Sequence, residues 1–144
     1  MAFEEKSAWV GLIAGILTLG IYITVVLSRA AASSGPMHET PYVDAMLWSI
    51  GIGIVVMIIA TIALRAVSGK EGSATDLRDR QITARAEHTS RAFVVIGALG
   101  ALVLAMLELP HFYIAHAVFV GFALSAVLEG IARIAFYRAG VPSW

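Results

Sequence analysis

Glu129 is the acidic residue set deepest in an apolar run, and Ser125 and Gly121 precede it at four-residue steps on the same helical stripe. A carboxylate inside a membrane helix is a candidate ion or proton site, with Ser125 beside it to share a ligand. Arg133 follows at i,i+4, so an ion pair reaching toward the headgroups is the competing account of the same residue. At roughly 1.5 Å per residue, Glu129 lies about 25 Å down a helix that starts near Phe112, close to a membrane boundary.

His111, His116 and Glu108 form a second group, and His38, Glu39 and Asp44 lie on the facing loop. Imidazole and carboxylate together suit Zn²⁺, Cu²⁺ or Fe²⁺. Residues five apart do not share a helical face, so His111 and His116 make a poor ligand pair. His116 alone offers an axial haem ligand, but no second histidine stands at its depth, and His88 falls on the opposite side of the membrane. The chain has no cysteine, which excludes disulfides, thiolate metal sites and cysteine nucleophiles.

A third group is basic. Arg78, Arg80 and Arg85 precede Arg91 and are available to an acidic partner or to anionic lipid, although Asp76, Asp79 and Glu87 interleave with them. That interleaving, and the lack of aromatic residues among them, argues against nucleic acid. No glycine-rich phosphate loop, nucleophile elbow or metalloprotease helix occurs. No cofactor is expected from these patterns.

The elements that position these residues follow from composition. At 59% hydrophobic and 14% charged, the chain departs from soluble domains, in which about a quarter of residues are charged. Lipid is the expected solvent for most of it. Apolar runs over about 8–28, 42–66, 92–109 and 112–137 each approach or exceed the roughly 20 residues that cross about 30 Å of hydrocarbon. The first run follows an acidic stretch, Glu4-Glu5-Lys6, and exceeds the length of a signal-peptide core. It reads as a retained membrane helix, although Ala30-Ala31-Ala32 imitates a cleavage site. The expected architecture is an all-α integral membrane four-helix bundle.

Small residues mark the expected contacts. Gly11 and Gly15 make a Gly-x-x-x-Gly face on the first helix; Gly97 with Ala101 and Ala105, and Gly121 with Ala117 and Ser125, make ridges on the third and fourth. Thr40-Pro41 reads as the start of the second helix and the Gly69–Gly72 stretch as its end. Ser73 with Asp76 matches a helix start, and no Gly or Pro then occurs before Gly97. One continuous helix is therefore expected from about 74 to 109, its 74–91 part lying in the cytoplasm, with ion pairs Asp76–Arg80 and Glu87–Arg91. The short turn before Pro110 makes the last two helices antiparallel neighbours. Nine of the ten lysines and arginines fall on alternate segments, which puts the central loop and both termini inside.

Around the central polar stretch, Asp76, Arg78, Ile82, Arg85 and Ala86 resemble a motif in an uncharacterised family of small bacterial predicted membrane proteins. There Asp-Glu-Arg, then isoleucine, then a basic residue and alanine lead into a membrane helix. Leu77 stands where that motif has glutamate, and the likeness covers about a tenth of the chain. The resemblance implies a four-helix membrane protein and carries no activity; the expected location is the bacterial inner membrane. The functional expectation is a structural or accessory subunit, homo-oligomeric or part of a larger membrane complex, acting through helix packing and the mixed-charge helix. An oligomeric transporter or proton-coupled carrier using Glu129 is the alternative, and a metal or haem redox protein using the outer histidines the third.

Overall fold

The computed structural model describes residues 3–72 and 76–140. They form four α-helices, α1 (Phe3–Ala32), α2 (Val43–Gly72), α3 (Leu77–Met106) and α4 (His111–Ala139), with a short 3₁₀ turn at Met37–Glu39. All four helices are long and apolar enough to cross a membrane. At about 1.5 Å per residue α1, α3 and α4 reach roughly 45 Å and the unbroken span of α2, Val43–Val67, roughly 38 Å, all longer than the hydrocarbon core of about 30 Å.

The boundaries have local causes. Glu4 and Glu5 in the first turn of α1 and Arg29 in its last turn both complement the helix dipole. α2 breaks at Gly69, whose φ of 67° lies in the left-handed region that glycine enters without a Cβ clash. The start of α3 differs from expectation. The expected cap, Ser73, lies outside the described residues, and Asp76 caps the helix. Its Oδ1 accepts from the Asp79 N–H at 2.8 Å, and Asp79 Oδ2 accepts from the Asp76 N–H at 3.2 Å. This capping box occupies the Asp76 carboxylate, and among the described residues the expected Asp76–Arg80 ion pair is not made. Glu87–Arg91 is made, at 2.8 Å. α3 stops at Met106, three residues short of the expected end, because Glu108 turns the chain at φ 54° ahead of Pro110.

The helices pack antiparallel in the lateral order α2, α1, α4, α3. Tyr22 and Val26 of α1 and Phe112 of α4 form the buried cluster, with Tyr42, Ala45, Met46 and Phe119 against it. It lies toward the end holding the α1–α2 and α3–α4 connections, here the loop end; the other, where α1 begins and α4 ends, is the basic end. α2 contributes no fully buried residue among those described, and most large apolar side chains of the chain are exposed. Water would not tolerate that surface, whereas hydrocarbon is as apolar as the side chains themselves. The bundle is thus open on its α2 side.

The tightest contact is between α3 and α4. A methyl group built on Gly97 would stand 2.8 Å from Gly121 Cα and 2.9 Å from Ala117 O, so the two backbones touch where both side chains are missing. From that contact the helices run side by side to the basic end, where Tyr137 Oη donates to Asp79 Oδ1 at 2.7 Å. The polar half of α3 therefore does not project freely. Asp79, Ile82, Ala86 and Ser90, at helical spacing, are all buried on the stripe that carries Gly97.

Candidate functional site

At the loop end the site is an aromatic cluster built on His116. Its Nδ1 lies 2.6 Å from Phe112 O and its Nε2 2.6 Å from Tyr22 Oη. A carbonyl only accepts, so Nδ1 carries the proton, and in the neutral ring Nε2 accepts from the Tyr22 hydroxyl. The ring stacks on Phe112 with centroids 4.1 Å apart, and Tyr42 closes on both rings at 5.1 Å. Three helix regions meet here: α1 through Tyr22, the residue preceding α2 through Tyr42, and α4 through His116. Beside the cluster Arg29 grips Asp44 through two hydrogen bonds of 2.7 Å and donates to Pro41 O at 3.0 Å, tying α1 to the start of α2.

The suggested metal ligands are not assembled. His111 is exposed, Glu108 is in the turn, and both nitrogens of His116 are engaged. Among the described residues no group of three or more His, Asp or Glu is placed to hold a metal ion. His38 lies near Tyr113, with ring centroids 6.2 Å apart, rather than near His116.

Glu129 is held by Arg133 at 2.5 Å, both half-buried. Counting the same eight residues from the Gly97–Gly121 contact places Glu129 level with Thr89, in the polar half of α3. Ser125, one turn toward the centre, is buried. In the polar part of α3 the Arg91 guanidinium, hydrogen-bonded to Glu87, holds that carboxyl below its ordinary value. Arg78, Arg80 and Arg85 are exposed on the same helix.

The glycines differ in their surroundings. Gly97 and Gly121 face each other across α3 and α4. Gly11 meets Met57 of α2, whose Cε would stand 3.3 Å from an added methyl. Gly15, one turn on, is exposed with nothing within 4 Å. The rotation of α1 is set instead by Leu12 packing on Gly130 and by Tyr22 on His116. Between α3 and α4 an apolar groove of about 760 Å³ runs toward the loop end, lined by Phe93, Ile96, Gly100, Leu104, Tyr113 and Val120 among others.

Comparison with protein-family models, with curated proteins and with solved structures gives no match. Two residues in the chain's geometry escape a reading of the sequence by ionisable groups, Tyr22 and Tyr137. The signal was present, because a tyrosine in an apolar helix brings a hydroxyl that has to find a partner.

Proposed function

We propose that the chain is a multi-pass protein of the bacterial cytoplasmic membrane, with both termini and the central loop inside, that serves as a structural or accessory subunit. It packs against further copies or a larger membrane complex. The observation that carries this reading is the open α2 side: a helix with no fully buried described residue, next to an α1 whose Gly15 and Gly20 also meet nothing within 4 Å. At Gly15 and Gly20 no side chain holds a partner helix away, and on α2 a row of large apolar side chains is left to be covered. The engaged state of the ionisable groups supports the same reading. Glu129 is bound by Arg133 level with polar residues, which favours a boundary ion pair over a proton site, and His116 has no nitrogen left for a metal.

The chain has no cysteine, so single cysteines can be placed along α2, at Gly51, Ile54 and Ile58, and cross-linked in native membranes. A subunit role predicts a discrete adduct from at least one position, and silence at all three overturns it. Reporter fusions at Pro36 and Gly72 should give opposite signals, periplasmic and cytoplasmic respectively; the same sign at both contradicts the topology.

A further inference from the structure

By composition the polar half of α3 is a mixed-charge helix in which three acids, Asp76, Asp79 and Glu87, offset most of four arginines. Its three-dimensional arrangement is different. Asp76 closes the capping box, Asp79 is turned inward and accepts from Tyr137, and Glu87 is bound by Arg91. Each acid of the segment has a partner, Asp76 and Glu87 within α3 and Asp79 on α4. Among the described residues, Arg78 and Arg80 have no ion-pair partner, and both are exposed. The outward surface of this segment is thus more basic than its sequence.

We propose that Arg78 and Arg80 bind the anionic headgroups of phospholipids in the membrane leaflet at the basic end, fixing the depth and tilt of the α3–α4 hairpin. Three observations lead there. The first is charge complementarity, with two uncompensated guanidiniums able to meet phosphate. The second is level. Trp9, a residue type that settles among headgroups, has Arg138 5.6 Å over its ring. Counting from the Leu12–Gly130 and Gly97–Gly121 contacts puts Trp9 level with Arg133 and Arg85. Arg80 and Arg78 then lie about 8 Å and 10 Å beyond, at about 1.5 Å per residue. That is close to the Debye length of about 8 Å, over which a charged leaflet still acts.

The third observation separates lipid from an acidic protein. Two residues apart on a helix, Arg78 and Arg80 stand on opposite flanks of the stripe that faces α4. A single protein segment docked on one flank leaves the other arginine untouched. Headgroups surround the hairpin and reach both.

The test uses the full-length protein in phosphatidylcholine bilayers, with spin-labelled phosphatidylglycerol and phosphatidylcholine compared by electron spin resonance. The parent should prefer phosphatidylglycerol, by roughly 5-fold at each arginine site, the equivalent of about 1 kcal/mol each. Arg78→Gln and Arg80→Gln should each remove part of that preference and the double variant more. Glu87→Gln, which releases Arg91, should increase it. Circular dichroism and unfolding temperature in pure phosphatidylcholine should stay at parent values for the arginine variants, since neither side chain supports the fold. A parent without selectivity overturns the proposal and leaves the arginines to an acidic protein. A double variant as selective as the parent overturns it too. The measurement contains no second protein, so it is decided independently of the subunit role.

Discussion

Replacing Gly97 with alanine tests the close approach of α3 and α4. The added methyl would stand 2.8 Å from Gly121 Cα and 2.9 Å from Ala117 O, against an ordinary carbon contact of about 3.5–4.0 Å. Both obstacles are backbone, so no rotamer change relieves them, and the helices must separate by more than half an ångström along a contact that continues to Asp79 and Tyr137. Overpacking of this kind costs about 1–3 kcal/mol. Against it stands the gain from replacing a mid-helix glycine, about 0.5–1 kcal/mol in water. Gly97→Ala should therefore be destabilising by about 1–2 kcal/mol. Gly100→Ala supplies the control on the same helix, three residues on, where nothing lies within 4 Å of the new methyl. It should be neutral or stabilising. Unfolding by added SDS in mixed micelles, followed by near-ultraviolet circular dichroism, measures both. Gly121→Ala should resemble Gly97→Ala, and the double variant should fall short of the sum, because one separation relieves both clashes. Equal stability for Gly97→Ala and Gly100→Ala would refute the close approach of α3 and α4.

Tyr22→Phe removes the donor to His116 Nε2 while keeping the ring in the cluster, and should cost about 0.5–1.5 kcal/mol in the same unfolding assay; a cycle with His116→Phe should show that the two are coupled. Glu129→Gln and Arg133→Gln should have equal and small effects on stability, about 0.2–0.5 kcal/mol, and equal effects on any phenotype the protein supports. Loss of function from the first change alone would return Glu129 to the role of a proton or ion site.

The membrane helices were legible in the sequence because apolar length is a global property that packing scarcely alters. Helix contacts were legible only in part. Gly97 and Gly121 were each visible as part of a small-residue ridge, but that they face each other depends on the turn at Glu108, which sets the register between α3 and α4. Gly11 and Gly15 looked equivalent, and only Gly11 meets another helix, because the rotation of α1 is decided by Leu12 and Tyr22 elsewhere along it. The open side of α2 left no trace in composition, since lipid and a protein interior select the same Ile, Val and Met.

The central stretch shows why a charge count misleads in such a chain. Asp79, Ile82, Ala86 and Ser90 recur at three- and four-residue steps through a segment dense in arginine, and that period marks the buried face more reliably than polarity does. Aspartate and serine on that stripe are compatible with burial because each finds an acceptor or donor at hand, Asp79 from Tyr137 and Ser90 from the carbonyl of Glu87 at 3.1 Å. The residues of this stretch then acquire physical roles. Asp76 caps α3, Ile82 and Ala86 are wholly buried on its packed face, and Arg78 stands on the flank beside them. In this chain the pattern sets where α3 begins and which of its faces packs against α4.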